Sequence, residues 1–160
     1  MKTTARTLAF ATMFAVAVPT LVASAQASDP VLGTWTLNVA KSTYGSGTAP
    51  KSATRTYTAA GAGYHFSSTT VGADGKSTTV EFTVAYDGKF VPVKGSPDAD
   101  SIMVKRIDAN TVEATQTKAG KVVSKTTRMT STDGKTLTST SAGTDAAGKP
   151  TKNVEVFDKK

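Results

Sequence analysis

Gly33-Thr34-Trp35-Thr36-Leu37-Asn38-Val39 holds the only tryptophan of the chain and alternates strictly in polarity. Successive side chains of a strand point to opposite faces, so Gly33, Trp35, Leu37 and Val39 share one face while Thr34, Thr36 and Asn38 share the other. This is a strand with one dry and one wet side. Later segments repeat the pattern. Ala53 to Ala59 sets Arg55 and Tyr57 against Thr54, Thr56 and Thr58, and Gly63 to Val71 sets Tyr64 and Phe66 against His65. Thr79 to Tyr86 sets Val80, Phe82, Val84 and Tyr86 against Thr79, Glu81, Thr83 and Ala85.

Further strands are expected at Phe90 to Lys94, Ser101 to Ile107, Thr111 to Thr117, Val122 to Ser131, Thr136 to Ala142 and Lys152 to Phe157. Pro92 cannot donate to a ladder, so its strand should be short or irregular. Asp74-Gly75-Lys76, Asp87-Gly88-Lys89 and Asp133-Gly134-Lys135 read as turns, because Asp-Gly accepts the positive φ angles of tight hairpins. The Gly-, Ser- and Pro-rich run 40–50 reads as a loop. About ten short strands joined mostly by short turns give an all-β chain. The short connections favour a single up-and-down antiparallel meander barrel over a sandwich of Greek keys, which needs long crossovers. A meander sends its turns alternately to two ends. The longer loops at 40–52, 72–77, 95–100, 118–121 and 143–150 gather at one end, the expected mouth. The compact turns at 60–62, 87–89, 108–110 and 132–135 gather at the other, where Trp35 should act as a plug.

Upstream, Lys2 and Arg6 precede an apolar run from Leu8 to Val22 and the small residues Ala23-Ser24-Ala25-Gln26-Ala27. That order is a secretory signal peptide, cleaved after Ala27 or Ala25, and Pro19 argues against a membrane anchor. Residues 28–160 then form one barrel domain in a periplasmic or secreted protein. Removing the first 27 of 160 residues leaves 133, within the usual size of one domain. There is no cysteine, so disulfides, thiolate metal sites and cysteine nucleophiles are excluded, and stability rests on packing and backbone pairing.

The net charge of +7 includes Lys2 and Arg6. Lys76, Lys121 and Lys149 fall at the mouth end and Lys89 and Lys135 at the other, a divided distribution unlike a nucleic-acid-binding stripe. Outward Thr, Ser, Lys and Glu equally exclude an outer-membrane barrel, and no span is expected in the mature chain. His65 is the sole histidine and has no partners at metal or triad spacing, so it reads as a solvent-facing strand residue. No nucleophile elbow, phosphate loop or dinucleotide fingerprint occurs. Neither metal, cofactor nor catalytic residue is assigned; His65, Glu81 and Glu155 are the ionisable groups an enzyme would have to use.

Gly33-Thr34-Trp35 at the head of the meander, the Asp-Gly-Lys hairpins and the closing Val154-Glu155-Val156-Phe157-Asp158-Lys159 together resemble the calycin superfamily of lipocalins and fatty-acid-binding proteins. More narrowly, the chain is similar to the small exported lipocalin-like proteins of bacteria. The resemblance implies a barrel that binds a small molecule inside. In fatty-acid-binding proteins a late-strand arginine and a last-strand Arg-x-Tyr pair hold a carboxylate. Arg128 matches the first, Glu155 and Phe157 stand in place of the pair, and Glu155 is expected to neutralise Arg128. The two-helix lid of that family has no counterpart in 40–52.

The candidate cavity-lining residues are therefore Trp35, Tyr57, Tyr64, Phe66, Phe82, Tyr86, Arg106, Arg128, Glu155 and Phe157. The aromatics either fill the core or border a cavity, since about ten strands is near the size at which filling gives way to space. Arg106 and Arg128 serve either in structural ion pairs or toward an anionic ligand. The partner expected is a small apolar or amphipathic molecule. The alternative is a macromolecule-binding module or enzyme inhibitor that acts through its loop tips around a solid core.

Overall fold

The computed structural model describes residues 29–45, 48–144 and 148–160, so the leader assigned to residues 1–27 lies outside it. Among the described residues, strands β1 (Gly33–Leu37), β2 (Thr43–Tyr44), β3 (Ser52–Ala60), β4 (Gly63–Val71), β5 (Ser77–Ala85) and β6 (Asp87–Pro92) make the first half. Strands β7 (Ser101–Arg106), β8 (Thr111–Lys118), β9 (Lys121–Thr130), β10 (Thr136–Thr144) and β11 (Pro150–Lys159) make the second. Their order in the sheet is β5-β4-β3-β1-β11-β10-β9-β8-β7-β6, with β2 appended to β11. The last strand zips to the first, with Leu37 opposite Phe157, Thr36 opposite Asp158 and Trp35 opposite Lys159. A ten-strand antiparallel path thus rolls into a nearly closed up-and-down barrel, as the alternation and turn spacing require.

The one discontinuity lies between β5 and β6. Tyr86 alone separates them, so the chain turns a corner there and does not fold back as a hairpin. Backbone pairing across this gap comes only from Lys94, just past the end of β6, which exchanges bonds of 3.0 and 2.9 Å with Glu81 of β5. This corrects the assignment of Asp87-Gly88-Lys89 as a turn. Those residues open β6, and Gly88, at φ +73, takes up a register shift between Asp87 and Phe90. The Asp-Gly pair supplies the positive φ that its sequence promises, but spends it on a bulge.

Two further expectations change in the region after β1. The strand ends at Leu37, and Val39 is 39% exposed in a 3-10 turn, Val39–Lys41, so it leaves the dry face. Asn38 is the reason: its side chain accepts the Lys41 amide at 3.2 Å and donates to Asp158 at 2.7 Å, offering the backbone a local alternative to the ladder. Inside the expected loop, Thr43 and Tyr44 pair with Val154 and Asn153. Two residues are too few to show a period.

Inward positions of the strands form one core, in which Trp35, Tyr64, Val104, Leu137 and Phe157 have no exposed surface. Trp35 lies toward the compact-turn end, where Gly33 pairs with Tyr57 close to the turn at 61–62. Its indole Nε1 donates 2.7 Å to the Val31 carbonyl, drawing residues 29–32 under the barrel as a cap. Asp29 completes the cap, accepting from the Tyr86 hydroxyl and pairing with the Arg106 guanidinium. The corner at Tyr86 is thereby held. On the outer face, Thr34 and Thr56 approach at 3.4 Å and Thr69 and Thr79 at 3.3 Å, cross-strand hydroxyl pairs of β-branched residues suited to a pleated surface.

Substituting Trp35→Phe removes the donor to Val31 and leaves a buried carbonyl unpaired, at an expected cost of about 1–3 kcal/mol. Trp35→Ala adds a cavity and should cost about 3–5 kcal/mol. Urea unfolding followed by far-ultraviolet circular dichroism measures both; a midpoint unchanged for either variant would show that the cap contributes nothing to folding.

Candidate functional site

Above the packed layer the barrel holds a half-open cavity of about 370 Å³, space for roughly a dozen waters at about 30 Å³ each. Strand parity sorts its walls. From β3, β4 and β5, the positions that alternate with outward threonines bring in Tyr57, Phe66 and Phe82. Phe66 and Phe82 stack with centroids 4.6 Å apart and planes at 26°, and Tyr57 tilts against Phe66 at 5.0 Å. The opposite wall is polar, with Gln116, Ser124, Thr126, Ser139, Ser141 and Asn153 from β8 to β11. Ile102 and Ala114 join the two.

At the mouth, Ser96 and Asp98 reach the cavity from the loop between β6 and β7. That loop is pinned across the opening. Val93 and Asp100 amides donate at 2.9 Å to the Asp100 and Thr117 carbonyls, the Asp100 carboxylate accepts the Ala119 amide at 2.6 Å, and the Lys118 ammonium donates to the Pro97 carbonyl. Ala99 is buried beneath it.

Two arginines enter the cavity from opposite sides of the barrel. Arg55 on β3 pairs with Glu155 on β11 at 2.6 Å and lies over the Phe157 ring, 4.1 Å from its centroid. This overturns the expectation that Glu155 neutralises Arg128. Instead, Arg128 on β9 donates 2.6 Å to the Tyr57 hydroxyl and 2.7 Å to the Tyr64 hydroxyl, and it has no carboxylate partner among the described residues. It is only 7% exposed and its Nε makes no hydrogen bond. Burial disfavours its charge, but the flanking tyrosine oxygens outweigh burial and hold its pKa above the ordinary guanidinium value. Both phenols supply a lone pair and a ring to the guanidinium.

The ten candidate residues therefore divide. Tyr57, Phe66, Phe82, Arg128 and Glu155 line the cavity. Trp35, Tyr64 and Phe157 do not; they are wholly buried in the core, although Tyr64 positions Arg128 and Phe157 underlies Arg55. Tyr86 and Arg106 lie outside the cavity too, in the cap, with the guanidinium 3.9 Å from the Tyr86 ring centroid and paired to Asp29. Shared strand parity identified a face but not a depth along the barrel. Arg55 was missed, though its alternation with Thr54 and Thr56 placed it beside Tyr57 on the inward side. His65 bonds Thr83 at 3.0 Å on the outer face, Glu81 is exposed, and Glu155 points inward, so the three do not converge.

No family model and no curated protein matches the chain. Among solved structures it is similar to a crystal structure of zebrafish ileal bile acid-binding protein complexed with cholic acid. The TM-score is 0.50 at 15% identity, over 82% of this chain and 99% of that one. At that identity the likeness speaks for the fold alone, a nearly closed up-and-down antiparallel barrel.

Replacing Glu155→Gln strips Arg55 of its charged partner. Both side chains retain about a fifth of their exposure, so the expected loss is about 1–3 kcal/mol, below that of a fully buried pair. Chemical denaturation reads it directly, and a loss under 0.5 kcal/mol, about what a surface substitution costs, would mean the pair is solvated.

The phenols give a pH dependence. Burial raises the pKa of Tyr44, Tyr64 and Tyr86 above the ordinary 10.0, and at Tyr86 the bond to Asp29 adds to it. A group whose folded pKa is raised contributes stability below its unfolded pKa and loses it as pH rises. Unfolding midpoints should therefore fall as pH climbs above about 10. In an alkaline absorbance titration at tyrosinate wavelengths, three of the four tyrosines should ionise late or only on unfolding. Four ordinary titrations would contradict this arrangement.

Proposed function

We propose that this chain is an exported barrel that binds a small apolar or amphipathic molecule in its interior, admitted through the mouth formed by the loops near 40–52, 72–77 and 143–150. The observation that carries the proposal is the 370 Å³ cavity, bounded by stacked aromatics on one wall and hydrogen-bonding groups on the other. Ligand sites are typically concave, about 300–1,000 Å³, with apolar lining and a few convergent polar groups. That a similar barrel is solved complexed with cholic acid supports a small molecule as the ligand. The leader-like first 27 residues support an exported setting, periplasmic or secreted.

Protein purified from its own compartment should release a co-purifying small molecule on organic extraction, seen by mass spectrometry. The emptied protein should bind Nile red, a neutral apolar fluorophore. Ala114→Phe, which places a ring in the cavity, should weaken Nile red binding at least tenfold while leaving the circular dichroism spectrum unchanged. An empty protein that ignores the dye, or an Ala114→Phe variant that binds it as tightly as the parent, would remove the case for interior binding.

A further inference from the structure

We infer that the interior takes an uncharged, polyhydroxylated ring molecule of the glycoside class, laid with its C–H side on the wall of Phe66 and Phe82 and its hydroxyls against β9, β10 and β11. This deepens the proposed interior binding and rests on it. The charge inventory of the lining is the first ground: Arg55 and Arg128 are matched in number by Asp98 and Glu155, so the cavity as a whole has no surplus of either sign. Arg55 is closed by Glu155 at 2.6 Å, and both terminal nitrogens of Arg128 are already bonded to the Tyr57 and Tyr64 hydroxyls. An ion entering this interior would lose its hydration without meeting a surplus of opposite charge.

Strand register supplies the second ground. Across β11, β10 and β9, Asn153 lies opposite Ser141 and Ser141 opposite Thr126, while toward the mouth Ser124 lies opposite Gln116 of β8. Neighbouring strands stand about 4.8 Å apart and successive inward residues of one strand about 6.6 Å apart, so these side chains make a compact polar patch on the scale of one sugar ring. The hydroxyls of Ser124, Thr126, Ser139 and Ser141 bond no other described residue, and each can donate and accept at once. Hydroxyls on a ligand match that dual character. An alkyl chain would cover the patch and leave its groups without partners, at a cost for each. On the other side Phe66, Val80, Phe82 and Ile102 offer only apolar contact, which the C–H side of a saturated ring fills. A glycoside presents both kinds of surface; a fatty chain presents one.

The full mature protein is titrated by calorimetry with phenyl β-D-glucopyranoside and phenyl β-D-galactopyranoside. Each is compared with its tetra-O-methyl ether, which keeps the ring and removes every donor, and the glucoside also with phenyl β-D-glucuronide, which adds a carboxylate. At least one glycoside should bind about tenfold tighter than its ether or better, the yield of a few hydrogen bonds, and the glucuronide should bind no tighter than the glucoside. Thr126→Val with Ser141→Ala, which removes two hydroxyls at little change in volume, should bring the glycoside-to-ether ratio toward one. Failure of both sugars to exceed their ethers by that factor, or a glucuronide preferred over the glucoside, overturns the inference. If Nile red still binds in that case, interior binding survives alone; if neither the dye nor any sugar binds, interior binding falls as well. Should the double variant fail to fold, Ser141→Ala alone replaces it, and a ratio unchanged from the parent in the variant that folds counts against recognition by this patch.

Discussion

The pairing of β1 with β11 is the constraint on which the remaining structure depends. By joining Leu37 to Phe157 across most of the chain's length, it fuses the β3–β5 side and the β6–β10 side into one sheet, which curls until its two edges, β5 and the chain after β6, meet at Glu81 and Lys94. Closure decides what each alternation means: one parity becomes core and cavity, the other becomes a coat of threonines. It also satisfies backbone groups that an open sheet would present to another chain. The remaining seam is small because Tyr86 makes the corner and Asp29 holds it from below. The cap and the seam are thus one arrangement, with Trp35 drawing residues 29–32 into place.

Three arginines on inward-facing strand positions meet three different fates, and the contrast explains the site. Arg106 reaches the cap and finds Asp29; Arg55 reaches over β1 and finds Glu155 on β11. Arg128 finds only tyrosines. A protein can hold a buried guanidinium with neutral acceptors when several converge, and here two hydroxyls and two ring faces, 5.0 and 5.5 Å from the guanidinium, do so. The aromatic cluster therefore has two roles, filling space and supporting the charge. It orients the cation without cancelling it.

The cavity is stratified because the barrel is stratified. Large rings and Leu137 pack the end covered by the cap, and small hydroxylated residues leave space toward the mouth. Filling and emptiness coexist in one fold. The mouth itself is narrowed by a loop whose side chains line the cavity and whose backbone is tied to β8, so access and binding surface are made from the same residues.

The period-two pattern by itself determined the all-β class, the place of every strand but β2 to within about three residues, and the parity of most side chains, because these depend on neighbours along the chain. It also located the two ends, since alternating turns leave no freedom in a meander. Where a short segment could satisfy two local rules, as at Asp87-Gly88 or Asn38, tertiary contacts chose between them. Depth within the barrel was not legible, so Trp35, Tyr64, Tyr86, Arg106 and Phe157 could not be separated from Tyr57, Phe66 and Phe82. Nor was the choice of Glu155 between Arg55 and Arg128, because charge pairing across a barrel depends on strand tilt and side-chain reach between segments 100 residues apart. Parity is a property of the strand; partnership is a property of the closed wall.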